Sequence, residues 1–91
     1  MRRVSLPPSR TPRVELFVRE GCHLCEQAEA VVAAVCGQLG EAYALVDVDE
    51  DEDRATEARI DVDELPVTFV DGRQHDFWRV DPVRLRTALA G

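Results

Sequence analysis

The amino-acid sequence predicts an α/β domain with the element order β-α-β-α-β-β-α, a mixed four-stranded sheet flanked by helices. Three observations carry this expectation. Two apolar stretches, 13–18 and 42–48, frame a helical repeat in the manner of a βαβ unit. Asp71-Gly72 joins two short strand-like runs, a strong hairpin signal. Asp81 as N-cap and Pro82 at the first helical position then open a run in which Val83, Leu85 and Leu89 recur at helical spacing.

The elements follow in order. Val14, Leu16 and Val18 alternate with Glu15 and Phe17, so 13–18 reads as a strand that Gly21 breaks. From Cys22 to about Cys36 the period changes. Cys25, Ala28, Val32 and Val35, and likewise Leu24, Ala28, Val31 and Val35, recur every three or four residues, and Gly37 and Gly40 end the helix. A second strand over 42–48 leads into the acidic run Asp47 to Asp53 and a short helix over 52–60, with Ala55, Ala58 and Ile60 facing the core. Acidic residues suit a first helical turn. A calcium loop would need a glycine and flanking helices that are missing here. Val67 to Val70 and 74–79 form the hairpin strands, and of Phe77 and Trp78 one is expected inside and one outside. His75 is expected at the surface.

The chain has 91 residues, room for one domain. That domain is expected over 13–91. Pro7, Pro8 and Pro12 make residues 1–12 a flexible tail in this reading. The net charge of −7 comes from 18 acidic residues against 11 arginines, with no lysine. Such a surface repels phosphate backbones, which argues against nucleic acid as a partner. No apolar run approaches the ~20 residues of a membrane helix, so no membrane partner is expected. The first residues lack the apolar centre of an export signal, which places the chain in the cytoplasm. The exclusive use of arginine points to a GC-rich, bacterial coding sequence.

Chemistry concentrates in Cys22-His23-Leu24-Cys25 at the strand-to-helix junction. The spacing puts both sulfurs on one helical face, close enough to bond. At a helix start, unpaired N–H groups and the positive end of the dipole favour a thiolate, which makes Cys22 the nucleophile and Cys25, one turn deeper, the resolving thiol. The implied reaction is attack by Cys22 on an external disulfide, followed by release through Cys25. Arg19 and His23 would favour the thiolate, whereas Glu20 and Glu26 oppose it. A structural zinc site would want four ligands in two pairs. Only His23, Cys36 and His75 are to spare, and Cys36 lies 11 residues beyond Cys25, ~16 Å along the helix. Cys36 reads as a core residue, and no metal is expected.

A strand, then CxxC opening a helix, then Leu65-Pro66-Val67 before a strand and a DG hairpin, resembles the glutaredoxin branch of the thioredoxin fold over about residues 13–90, nearest its short members carrying C-x-L-C. The resemblance implies a thiol–disulfide oxidoreductase acting through Cys22 and Cys25. It also implies a cis peptide before Pro66, with His23, Leu24, Leu65, Pro66 and Val67 forming the substrate groove. Two positions depart from that family: His23-Leu24 stands in place of Pro-Tyr, and Arg79-Val80 in place of the Gly-Gly that admits the glutathione carboxylate. The expected partners are therefore protein disulfides or another low-molecular-weight thiol, which also serves as reductant. The chain is expected to be monomeric and to hold no bound cofactor. The alternative is a non-catalytic module that holds a peptide in the Pro66 groove.

Overall fold

A computed structural model describes residues 2–4 and 12–90 of the protein. Its elements are β1 (Arg2–Val4), β2 (Val14–Val18), α1 (His23–Leu39), β3 (Tyr43–Asp47), α2 (Glu52–Glu57), β4 (Val67–Val70), β5 (Arg73–Phe77) and α3 (Pro82–Ala90), with a 3-10 turn at Val62–Glu64. The strand order is β1-β3-β2-β4-β5. β2 and β3 are parallel, joined by α1 as the βαβ reading requires, while β4 runs antiparallel to both β2 and β5.

The sheet has five strands where four were expected. Arg2–Val4 pairs antiparallel with Ala44–Val46 on the open edge of β3. The tail reading does not hold for these three residues. The prolines that motivated it all come later, and an edge strand needs only a free ladder to join. Met1 and residues 5–11 of that tail lie outside the described residues.

α1 buries Cys25, Ala28, Val32, Val35 and Cys36 against the sheet. It continues past Gly37 to Leu39, because Gly40 alone supplies the left-handed cap, at φ 66°, with its N–H donating to the Cys36 carbonyl. α2 ends earlier than expected, at Glu57, and Arg59 turns the chain at φ 57°. Asp71 and Gly72, at φ 53° and 82°, make the hairpin turn. α3 packs on α1, and Asp81 caps it as expected, its Oδ1 accepting from the Val83 N–H at 2.8 Å.

The two faces of β2 serve different layers. Glu15 and Phe17 face α2: Arg54 forms a two-point ion pair with Glu15 (2.9 and 2.6 Å) and lies 5.5 Å from the Phe17 ring centre. Leu16 and Val14, fully buried, therefore face the α1/α3 layer. At the far pole Arg13 binds Asp71 through two nitrogens (2.8 and 2.9 Å), Glu41 at 3.2 Å and the Leu89 carbonyl at 3.0 Å, closing the start of β2 onto the hairpin and the end of α3.

β5 departs from expectation at both ends. Pairing steps from Thr68–Asp76 to Phe69–Gln74, so His75 is the extra residue of a bulge. It is half-buried rather than at the surface, and its Nε2 has no partner among the described residues. The strand stops at Phe77, because Trp78 adopts φ 64°. Phe77 and Trp78 consequently both stay exposed, at 43% and 52%. The expected inside–outside split assumed an extended Trp78.

Candidate active site

β2 ends at Val18, and Gly21, at φ 78°, turns the chain into α1. Cys22 is the N-cap. Its backbone is extended (φ −98°, ψ 111°) and its Sγ accepts the Cys25 N–H at 3.2 Å. Sulfur here takes the place of the oxygen that usually caps a helix. The Cys25 N–H is aimed at the sulfur, which sits at the positive end of the helix dipole. Cys22 is partly exposed and Cys25 is buried, 4% exposed.

Burial, then the hydrogen bond to Cys22, pushes the Cys25 thiol up to about 12. Burial pushes Cys36 up to about 11. Cys36 is 1% exposed near the end of α1, the core role expected of it. These shifts have a consequence for stability. Both thiols hold their protons more tightly folded than unfolded, where a thiol titrates near ~8.5. Their contribution is complete below about pH 8.5 and is lost as pH rises toward 12. Urea midpoints of the reduced protein are expected to fall steadily from pH 8 to 10.5, and less steeply in a Cys25→Ala/Cys36→Ala variant. Equal slopes for the two proteins would refute the assignment.

Leu65–Pro66 is cis, as the resemblance implied. Because Phe17 pairs with Val67, the Leu65–Pro66 segment lies at the end of the sheet where β2 gives way to Cys22. The Trp78 N–H donates to the carbonyls of both Glu64 (3.2 Å) and Pro66 (2.8 Å). Leu65 lies between them with an extended backbone (φ −62°, ψ 141°). Its N–H and C=O take no part in the turn bonds among the described residues.

The other expected groove residues are divided. Leu24 is 37% exposed and walls a groove of about 200 Å³ with Val31, Trp78 and Val80. His23 points to solvent, its side chain 93% exposed and Nδ1 3.6 Å from Glu26 Oε2, so it is directed at a carboxylate rather than a sulfur. Val67 must be corrected. It is 1% exposed and paired on both sides, with Phe17 and Phe77, and the side chains of Leu65 (8% exposed) and Pro66 (fully buried) are in the core as well, so none of the three adds side-chain surface to a groove.

Sequence reasoning missed two parts of the site. One is Trp78, whose Nε1 also donates to the Asp63 carbonyl at 3.0 Å and whose ring meets Phe77 edge-on at 5.0 Å. The available signal was an aromatic pair directly after a hairpin strand. The other is most of the acidic border of the thiol cavity, of which only Glu20 and Glu26 were placed beside Cys22 by the sequence. This space of about 420 Å³ is lined by Cys22, Cys25, Arg19 and five carboxylates, those of Glu20, Glu26, Glu29, Asp47 and Glu50. Parallel pairing of Val18 with Asp47 brings the β3 end beside the cysteine loop, and the parallel βαβ reading already implied that neighbourhood. Asp47 and Asp51 themselves cap the turn and helix that follow, Asp47 accepting from Asp49 N–H at 2.8 Å and Asp51 from Arg54 N–H at 3.1 Å. The acidic run thus satisfies backbone donors. Among the described residues no three His, Cys, Asp or Glu side chains gather as metal ligands, and no helix is long and apolar enough to cross a membrane.

Comparison with known proteins agrees with this geometry. Residues 13–90 match the family model described as Glutaredoxin-like domain (DUF836). The chain is 37% identical over 81 residues to the uncharacterized proteins Mb0520 of Mycobacterium bovis and Rv0508 of Mycobacterium tuberculosis, covering 87% of this chain and 84% of each relative. It is also similar to the X-ray structure of the structural-genomics target protein XcR50 from X. campestris, with a TM-score of 0.60 and 29% identity over 85% of this chain and 95% of that one.

Proposed function

Because this chain belongs to the glutaredoxin-like domain family, we propose that it is a cytoplasmic, monomeric thiol–disulfide oxidoreductase with Cys22 as nucleophile and Cys25 as resolving thiol. One observation carries the reading: a partly exposed sulfur caps α1 while a second, buried sulfur sits one turn behind it, at hydrogen-bonding reach of the first.

The reaction balances as two exchanges. The Cys22 thiolate attacks one sulfur of the substrate disulfide. A Cys22–substrate bond forms, the substrate S–S bond breaks, and the leaving thiolate takes a proton. Cys25 then gives up its proton and attacks Cys22 Sγ, which releases the second substrate thiol and leaves a Cys22–Cys25 disulfide. The substrate is reduced by two electrons and the protein is oxidised by two. Burial keeps Cys25 a thiol until the mixed disulfide removes the adjacent Cys22 charge.

A separate thiol must return the protein to its reduced form, either a low-molecular-weight thiol or a protein dithiol. The start of α3 favours a thiol other than glutathione. Val80 is buried there, and the Asp81 carboxylate already occupies the helix N–H groups and would repel an anion.

The test is a redox titration. The full chain is equilibrated with mixtures of reduced and oxidised dithiothreitol, alkylated and weighed. Two thiols are expected to disappear together in one two-electron transition that is absent in Cys22→Ser. A chain that keeps all its thiols under oxidising conditions would instead fit the peptide-holding module.

A further inference from the structure

We propose that the disulfide Cys22 attacks lies in an extended, positively charged segment of another protein rather than in a small anionic thiol. This rests on the oxidoreductase reading and names its substrate class.

The argument starts from charge. Five carboxylates border the cavity in which the two sulfurs sit, against one guanidinium. That guanidinium, Arg19, is already held by Asp49 through two bonds of 3.0 and 3.2 Å. Among the described residues no other arginine lines this cavity. Of the carboxylates, Asp47 is occupied in its own turn and Glu29 takes the Tyr43 hydroxyl at 3.5 Å. Glu20 and Glu26 stand exposed on either side of Cys22 in sequence. A tripeptide thiol bearing two carboxylates enters this field at a disadvantage, and a basic side chain next to the reacting cysteine is drawn in.

A second and independent feature points to a polypeptide. α1 has a different surface on each side of its start: Cys25, Glu26 and Glu29 line the acidic cavity, while Leu24, Gln27 and Val31 line a smaller mixed groove closed by Trp78 and Arg79. The Leu65 N–H and C=O, at the end of the sheet where β2 gives way to the cysteine loop, make no turn bonds among the described residues. An extended segment can place basic side chains in the first space, pair its backbone with Leu65, and lay an apolar side chain against Trp78. A small thiol reaches only one of these.

The experiment uses the reduced full chain and three short peptides, each with one cysteine held as a mixed disulfide with the neutral thiol 2-mercaptoethanol. They differ only in flanking residues: arginine, glutamine or glutamate. Single-turnover rates are read by quenching and mass spectrometry. The arginine peptide is expected to react about tenfold faster than the glutamate peptide at low ionic strength. The gap should close near 1 M salt, where the Debye length is ~3 Å. It should also narrow in a Glu20→Gln/Glu26→Gln variant. Equal rates for the three peptides, or a gap indifferent to salt, would overturn the proposal. So would failure of all three in a protein whose Cys22–Cys25 disulfide does form in the redox titration, whereas failure of that titration overturns the oxidoreductase reading as well.

Discussion

Replacing Cys22 with serine is expected to lower disulfide turnover by roughly 10⁴-fold or more, the scale of loss when a covalent nucleophile is removed. Cys25→Ser should behave differently. It retains the first attack and then stops, so one substrate accumulates per chain as a mixed disulfide on Cys22, since a serine cannot resolve it. The pair of variants is informative because neither should disturb the fold much. Serine is among the preferred N-cap residues and its hydroxyl can accept the Cys25 N–H that Sγ now accepts at 3.2 Å. Urea stability of Cys22→Ser should therefore stay within ~1 kcal/mol of the parent. Cys22→Ala, which has no acceptor, should lose ~1 kcal/mol through the cap alone. Turnover by the Cys22→Ser variant at parental rates, or a mixed disulfide on Cys25 in place of Cys22, would reverse the assigned roles.

Arg54→Met is expected to cost about 2–3 kcal/mol of stability, at or just under the lower end of what breaking a buried ion pair costs. α2 has no fully buried residue. Besides the partly buried Ala55, Ala58 and Ile60, what holds it to the sheet is the Arg54–Glu15 pair, whose side chains are only 19% and 14% exposed. Removing the guanidinium leaves a carboxylate facing the sheet's apolar layer, and also removes the cation above Phe17. The partial exposure that remains lets some water in, which is why the figure sits at the low end. The compensating change is Glu15→Val together with Arg54→Met. Valine suits a central strand, and replacing both partners by apolar groups leaves no carboxylate to desolvate there, so most of the loss should return. Urea unfolding of the parent, the single and the double variant measures this. A single variant within 0.5 kcal/mol of the parent would mean the pair is not what anchors α2.

The readable parts of this molecule were those in which a few adjacent residues decide the outcome. Asp71-Gly72 needs positive φ at both positions and chooses residues that tolerate it. The Cys22–Cys25 spacing sets a helical face, and Asp81-Pro82 announces a helix start. The parts that stayed hidden depend on partners distant in sequence. Arg2–Val4 becomes a strand because β3 has an open edge, which nothing within those three residues declares. Glu15 in a strand looks like an exposed polar position until Arg54 arrives from α2, 39 residues later. Val67 was assigned to the groove by its neighbour Pro66, although pairing with Phe17 and Phe77 on both sides places its side chain in the core. Trp78 was placed in an extended strand, and only its bonds back to Glu64, Pro66 and Asp63 explain why the backbone reverses there.

The way the sheet ends on its two sides bears on how the protein behaves when crowded. An unprotected strand edge is a template on which further chains can stack, the first step toward fibrils or precipitate. Here one edge is a strand of three residues, which offers little length to copy. The other is broken by the His75 bulge and stopped by the left-handed Trp78, so its amides and carbonyls are out of step with any incoming flat strand. With a net charge of −7 adding mutual repulsion, such a chain can be abundant without polymerising through its own sheet, and the open backbone near Leu65 remains available for a visitor that comes and goes.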